Sequence, residues 1–348
     1  MFPVTRRAAR AALGTALAAV TLAVAGCSSA TSSASVAPED GVVVYSGRSE
    51  ELVAPLFAQF TAETGIPVEA RFGDSAELAA QMLEEGDATP AQVFFSQDAG
   101  ALGAVAAEGL LAPLPEGVAA DIPPAYQSAD GTWTGVTGRA RVIAYDPEQV
   151  PADQVPTSVL ALTDPAWKGQ VAIAPTNASF QSFVTAMRQT EGDAATKAWL
   201  EGLVANDVQT YEKNGLILDA VDSGQATLGL VNHYYWYEKA AEVGADAMRA
   251  QNSFTVAGDP GSLVNVAGVG ITEPAAENPN AAAFVAWLLT PQTQTWFAEN
   301  TFEYPLIDGI AIAEGLPALS SLAGPDVALA DLADLPGTLA MLTEVGLL

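Results

Sequence analysis

Gly41-Val42-Val43-Val44-Tyr45-Ser46-Gly47-Arg48 (residues 41–48) decides the architecture. Val42 to Tyr45 form one apolar run with no polar face, the pattern of a strand buried on both sides in a parallel sheet. Ser46-Gly47-Arg48 turns the chain. Leu52, Val53, Leu56, Phe57 and Phe60 then recur on one helical face, with Ser49 at the N-cap position and Gly65 as the stop. Pro55 deprives the Glu51 carbonyl of its partner, which predicts an irregular first turn. Working outward, Ile66 to Phe72 reads as a strand. Ser75 to Glu85 reads as a helix capped by Asp74 or Ser75 and ended by Gly86. Ala91 to Phe95 is a third strand, followed by Ser96-Gln97-Asp98 and a helix through Glu108. This βαβαβα order predicts an α/β fold, a parallel sheet with helices on both faces.

Ala112 to Asp130 is a Pro-rich connection, and Trp133 to Tyr145 is a long strand. Arg139 and Arg141 lie two apart on it and so share a face. They either pair with acidic neighbours or form a two-armed anion clamp, since guanidinium binds oxyanions bidentately. A turn at Asp164–Gly169 leads to a strand from Gln170 to Ala174. Pro175-Thr176-Asn177-Ala178-Ser179 then opens a helix from Phe180 to Thr190. Such a loop offers backbone N–H groups to an anion, or Asn177 or Ser179 simply caps the helix. Further helices are expected over Asp193–Val204, Leu216–Asp222, Asn280–Leu289 and Pro291–Asn300, with a strand from Asp259 to Ile271. Tyr211 to Gly215 is a turn, and the tail after Gly309 is broken by Pro317, Pro325 and Pro336 into short helices. No internal repeat is visible.

One junction carries chemistry. The apolar run Ala226 to Val231 stops at Asn232-His233, two tyrosines follow, and Trp236 to Glu242 reads as a helix. Tyr234 and Tyr235 would face opposite ways on a regular strand, but converge at a strand end or in the first turn of a helix. A phenol ligates poorly until it loses its proton near pH 10, and a hard, highly charged cation favours that loss. Oxygen donors of this kind suit Fe3+. The plain alternative is an aromatic cluster that packs a core with its hydroxyls at the rim.

Arg6, Arg7 and Arg10 precede an apolar stretch from Ala11 to Ala25 that is too short and Ala-rich for a membrane span. Residues 1–26 are thus expected to be a signal peptide. Small residues before Cys27, the chain's one cysteine, resemble a bacterial lipobox and imply acylation there. Residues 27–40 are Ser/Ala-rich and expected to be a lipid-anchored flexible tether. The formal charge of −28 becomes −31 without the three leader arginines. Such a surface repels nucleic acid and anionic membrane. One histidine and no free thiol after processing leave no Ser/His/Asp or Cys/His constellation, and no phosphate-binding glycine loop is present. An enzyme is therefore not expected. A structural or adhesive surface lipoprotein fits the anchor but leaves the polar junctions unexplained.

Val42-Val43-Val44-Tyr45-Ser46-Gly47, Pro90 to Phe95, Gly138-Arg139-Ala140-Arg141-Val142, Pro165 to Gly169, Asn232 to Tyr237, Asp259-Pro260-Gly261 and Glu303-Tyr304-Pro305-Leu306 are spread over the whole mature chain. Through them it resembles the ferric-ion-binding proteins of bacterial iron(III) ABC importers. The resemblance implies a two-lobed type-II periplasmic-binding-protein fold with mixed sheets, helices on both faces and a ligand cleft between the lobes. Residues 41–140 with 265–305 would form the N-terminal lobe, and 141–264 with 306–348 the C-terminal lobe. Crossing strands near Gly138–Val142 and Leu263–Gly268 would join them. It further implies Fe3+ held by Tyr234 and Tyr235, with a synergistic anion such as carbonate or phosphate. The anion contacts would be Asn177, Ala178, Ser179, Asn214 and Asn232, beside Arg139 and Arg141. The chain departs from the family where a histidine is usual: Ser49 and Glu50 stand there, and Gln97 stands where many members have a glutamate. Glu50 and Gln97 are then the candidates on the facing lobe. The implied protein is a monomer tethered to the outer face of the cytoplasmic membrane, on the periplasmic side if the cell has an outer membrane, and serves an ABC permease. The alternative is a receptor for a small organic anion, such as a phosphonate, on the same fold.

Overall fold

Val42, Val43, Val44 and Tyr45 are no more than 1 % exposed, as a strand covered on both faces requires. The computed structural model describes residues 41–325 and 327–348. The expected leader, the acylated Cys27 and the tether lie outside the described residues. Strands β1 (Val42–Ser46), β2 (Val68–Phe72) and β3 (Val93–Ser96) alternate with helices α1 (Glu50–Thr64), α2 (Ser75–Glu85) and α3 (Ala99–Ala107). Parallel pairing puts β1 between β2 and β3. β2 starts at Val68 rather than Ile66; Pro67 has no N–H for the ladder and supplies only its carbonyl, to Val42 N. In α1, Val53, Leu56, Phe57 and Phe60 are buried, and Gly65 ends the helix at φ 76°, a conformation glycine adopts freely. Pro55 lies inside α1, which runs unbroken from Glu50; at its start the Ser49 carbonyl accepts from both Leu52 N and Val53 N at 3.2 and 3.3 Å.

The remaining strands are β4 (Leu111–Ala112), β5 (Trp133–Tyr145), β6 (Val171–Ile173), β7 (Gln209–Thr210), β8 (Leu228–Asn232), β9 (Gln251–Ser253), β10 (Val264–Thr272) and β11 (Tyr304–Pro305). The helices are α4 (Ala178–Glu191), α5 (Asp193–Ala205), α6 (Asn214–Asp222), α7 (Tyr234–Val243), α8 (Pro279–Leu288), α9 (Pro291–Asn300) and α10 (Leu335–Glu344). The strand order is β2-β1-β3-β10-β5-β8-β6-β7, with β4 on β10 and β9 and β11 on β5. The sheet is mixed: β10 is antiparallel to β3 and β5, β8 is antiparallel to β5, and β6 is parallel to β7 and β8. β5 spans both halves. Its residues 133–140 pair with β10, and 141–145 pair with β8.

Alternation along β5 and β8 sorts the second half into two layers. Ile143, Leu228 and Leu230 pack with Phe180, Phe183, Trp199 and Leu203 of α4 and α5. Val142, Ala144 and Val231 pack with Ile217, Leu218 and Val221 of α6 on the other face. The first half has its own core around β1, β3 and α1, joined by Phe284, Val285 and Leu288 of α8. The tail serves both, with Leu329 and Leu332 in the first core and Leu342 in the second. Each large apolar side chain buried this way contributes about 1.5–3 kcal/mol.

Candidate functional site

Parallel strands deliver their C-terminal ends, and the helix N-termini that follow, to one edge of a sheet; such edges are where open α/β sheets bind ligands. This chain does so twice. The chain leaves β1, β2 and β3 through Arg48, Asp74 and Gln97, and leaves β6, β7 and β8 toward Asn177, Asn214 and Tyr234. The two sets line one cleft of about 860 Å3, with Arg48, Glu50, Asp74 and Gln97 on one wall and Asn177, Lys213 and Tyr235 on the other.

Tyr234 and Tyr235 are the first residues of α7, whose positive N-terminal end favours a phenolate. The helix begins two residues before the expected Trp236, which is why adjacent tyrosines converge. Their rings stack with centroids 4.4 Å apart and planes 26° apart. Tyr234 is 1 % exposed, while Tyr235 is partly open to the cleft. Burial, and then each other's charge, push the Tyr234 phenol well above its ordinary range, with the Arg48 cation pulling the other way. Burial also raises Tyr235, against the effect of Tyr234, Arg48 and Asn214. Both therefore stay protonated at neutral pH until a cation displaces the protons. His233 does not join them. Its Nδ1 accepts from Ala140 N at 3.1 Å, so Nε2 carries the proton and donates to the Phe302 carbonyl at 2.9 Å. Burial brings its pKa down to about 4. It is a neutral strut between β5 and the segment before β11.

Arg139 and Arg141 are both buried on β5. Arg141 Nη1 donates to Ser179 Oγ and Asn232 Oδ1, each at 3.3 Å, and its guanidinium lies over the rings of Phe180 and Phe183. Burial, with Arg139 second, pulls Arg141 down to about 9. Nε, Nη1 and Nη2 of Arg139, and Nε and Nη2 of Arg141, have no hydrogen-bond partner among the described residues. Asn214 Nδ2 donates to Asn177 Oδ1 and Ser179 Oγ, both at 3.2 Å, so the segments that follow β6 and β7 meet there. Asn177 also caps α4 by accepting from Ser179 N at 3.1 Å. Asn232 Nδ2 is buried and unpaired among the described residues. Buried donors left over in this number are what an oxyanion would satisfy.

The structure thus brings together Tyr234, Tyr235, Arg141, Asn177, Ser179, Asn214 and Asn232, with Arg139 and Ala178 buried beside them. Glu50 lies exposed on the facing wall, and Gln97 has Nε2 buried and unpaired among the described residues. Three residues were missed: Arg48, Glu303 and Glu238. Arg48 donates from Nη1 and Nη2 to both carboxylate oxygens of Glu303, at 2.9 and 2.8 Å, with side chains 1 % and 0 % exposed. Burial disfavours the Arg48 charge, but Glu303, then Tyr234, more than restore it, so its pKa is raised. Glu238 has Oε1 buried without a partner among the described residues, and burial raises its pKa to about 8. Asp98 caps α3 and accepts from Ser182 Oγ at 2.7 Å, and burial raises its pKa too. Nothing local marks a pair 255 residues apart. Glu238 could have been found from its spacing to the tyrosines.

Among the described residues no group of three His, Cys, Asp or Glu side chains is placed to hold a metal. The phenol oxygens at this cleft are donors of the kind that suits hard, highly charged cations.

A family model described as bacterial extracellular solute-binding protein matches residues 88–323. The Fe(3+)-binding periplasmic protein of Serratia marcescens is 34 % identical over 89 % of this chain and 91 % of its own length. The major ferric iron-binding protein of Neisseria meningitidis serogroup B is 31 % identical over 88 % and 93 %. The crystal structure of iron-bound HitA from Pseudomonas aeruginosa superposes with a TM-score of 0.83 at 31 % identity, covering 88 % of this chain and 99 % of that one. These neighbours have the two-lobed architecture that the sequence implies.

Proposed function

This chain belongs to the bacterial extracellular solute-binding protein family, and we propose that it captures ferric iron outside the cytoplasm and hands it to an ABC permease. It is a binding protein, as its relatives are, and not an enzyme. The observation that carries the cargo is the stacked Tyr234–Tyr235 pair at the start of α7, opening on a cleft between two sets of strand ends. Both phenols release their protons to solvent as the metal binds and hold it as phenolates. A synergistic anion, carbonate or phosphate, completes the shell against Arg139, Arg141, Asn177, Ala178, Ser179, Asn214 and Asn232. Glu50 and Gln97 approach from the facing wall when the lobes, residues 41–140 with 265–305 and 141–264 with 306–348, close about β5 and β10. Acylation of Cys27 tethers the monomer to the outer face of the cytoplasmic membrane. Metal analysis and a visible spectrum of protein purified without chelator test the reading: bound iron with a phenolate band supports it, and colourless, iron-refractory protein defeats it.

A second reading uses the same floor. Five buried guanidinium nitrogens without partners among the described residues favour an anion, so a receptor for a small organic anion such as a phosphonate needs the arginines but not the phenols. Anion binding that persists in Tyr234→Phe/Tyr235→Phe protein without iron would support it over the ferric reading.

A further inference from the structure

Helix α7 carries a third oxygen side chain on the same face as its two tyrosines. At about 100° per residue, Tyr235 lies roughly 100° round from Tyr234, and Glu238 about 40° round. Glu238 therefore falls between the two phenols in azimuth, one turn further along. Helical side chains lean toward the N-terminus, so its carboxylate reaches back to the tyrosine turn. The surroundings agree. Glu238 Oε1 is buried with no partner among the described residues. Its electrostatic neighbours are Glu303 and Arg48, and it is in turn a charge that Tyr235 feels. The next residue, Lys239, turns away to Asp219 and Asp222 at 2.6 and 3.1 Å and does not neutralise it. A buried carboxyl oxygen without a partner is costly, and an ordinary rim glutamate would turn to water.

We propose that Glu238 is a third protein oxygen ligand for the cargo, releasing its proton to solvent as the ion binds, so that one turn of α7 presents Tyr234, Tyr235 and Glu238 to the same ion. The inference rests on the ferric reading above. Carboxylate and phenolate oxygens are both hard donors suited to Fe3+. A facial set on one helix also explains how the chain manages where its facing wall offers Ser49, Glu50 and Gln97 and no histidine. Iron can be seized by α7 before the facing wall arrives.

The experiment loads ferric iron and phosphate onto the full-length parent, Glu238→Gln, Glu238→Asp and Tyr234→Phe/Tyr235→Phe proteins. It reads the visible phenolate band and the rate of iron loss to a chelator. Unchanged thermal melting of the iron-free variants shows that they fold. The expected result is a shifted band and iron loss roughly tenfold or more faster in Glu238→Gln, because a ligand matters at least as much as the outer groups whose loss costs 10–100-fold. Glu238→Asp, charged but one methylene short, should also lose iron faster than the parent. Parent-like wavelength and rate in Glu238→Gln would overturn the assignment while leaving the tyrosines in place. Full rescue by Glu238→Asp would overturn it as well, since charge acting at a distance would then suffice. A parent with no phenolate band would instead remove the ferric reading, and this inference with it.

Discussion

Replacing Glu303 by Gln should destabilise the iron-free protein by about 3 kcal/mol, near the lower end of the 3–5 kcal/mol typical of breaking a buried ion pair. The structure sets that magnitude. Arg48 and Glu303 meet through two hydrogen bonds of 2.9 and 2.8 Å, with side chains 1 % and 0 % exposed, so neither solvent nor salt screens them. Glu303 also accepts from Thr301 Oγ1 at 3.0 Å. Glutamine keeps the shape and one acceptor, which holds the loss toward the low end. It still leaves the Arg48 cation without a counter-charge. With an unfolding entropy of about 2.1 cal/mol/K per residue over roughly 310 residues, 3 kcal/mol lowers the melting midpoint by about 5 °C. Arg48→Met alone should cost a similar amount, because it strands the carboxylate. Arg48→Met with Glu303→Leu should recover most of the loss, since apolar replacement of a whole buried pair is often neutral or better. Calorimetry of the parent, Arg48→Met, Glu303→Leu and the Arg48→Met/Glu303→Leu protein at low and high salt closes the cycle. A coupling energy below about 1 kcal/mol, or a double variant as unstable as the sum of the singles, would refute the claim that the pair is buried and mutually dependent.

Other outcomes follow from the same geometry. Tyr234→Phe and Tyr235→Phe should each leave melting nearly unchanged while shifting the visible band and speeding iron loss to a weak chelator; the double variant should lose the band, and normal retention there would defeat the ferric reading. Because loading must displace phenol protons held well above their ordinary range, iron affinity measured by competition should fall as pH drops. Arg139→Met should stabilise the iron-free protein by less than the about 1–3 kcal/mol that unpaired buried donors cost, because Arg139 also favours the buried Asp98 carboxylate, and phosphate, expected to raise the melting temperature of the parent, should not raise that of the variant. His233, held near pKa 4 against an ordinary 6.5, contributes stability that is full above pH 6.5 and is lost as pH falls toward 4, about 3 kcal/mol in all. Melting of His233→Gln across that window should lack the decline. Cys27→Ser should move the protein from the membrane fraction to the soluble one.

What could be read from the sequence was local in its physics. The run Val42 to Tyr45 has no polar face, and a strand covered on both sides is its low-energy solution. Gly65 and Gly86 end α1 and α2 because each stop sits where an apolar face runs out. The tyrosine pair could be placed at a strand-to-helix junction for the same reason. Its sharing of one face needed the helix to begin at Tyr234 rather than Trp236, a boundary that hydrophobic periodicity resolves poorly because the aromatic residues there fit either state.

The other wall of the site depends on partners far apart in the chain, and its physics is not local. Arg48 reads as the end of a turn until β11 brings Glu303 beneath it, 255 residues later. Arg139 and Arg141 read equally well as surface ion pairs. The fold decides otherwise: β5 carries them inside, where Asn265 and Asn232 stand opposite in register and no carboxylate bonds to them among the described residues. A chain with 41 acidic residues could have paired both, yet it leaves their donors unmatched while it gives Arg48 both oxygens of Glu303. Desolvating a guanidinium without a partner costs several kcal/mol. A protein that keeps two such groups in one cleft, beside phenols that cannot ionise alone, is built so that a cation and an anion arriving together resolve both costs. Either one alone leaves half of the site unsatisfied. The physical expectation is therefore that iron and the anion bind with strong positive coupling, equal in both directions by linkage. Titrating iron at fixed phosphate and phosphate at fixed iron measures it, and equal affinities with and without the partner would overturn this account of the site.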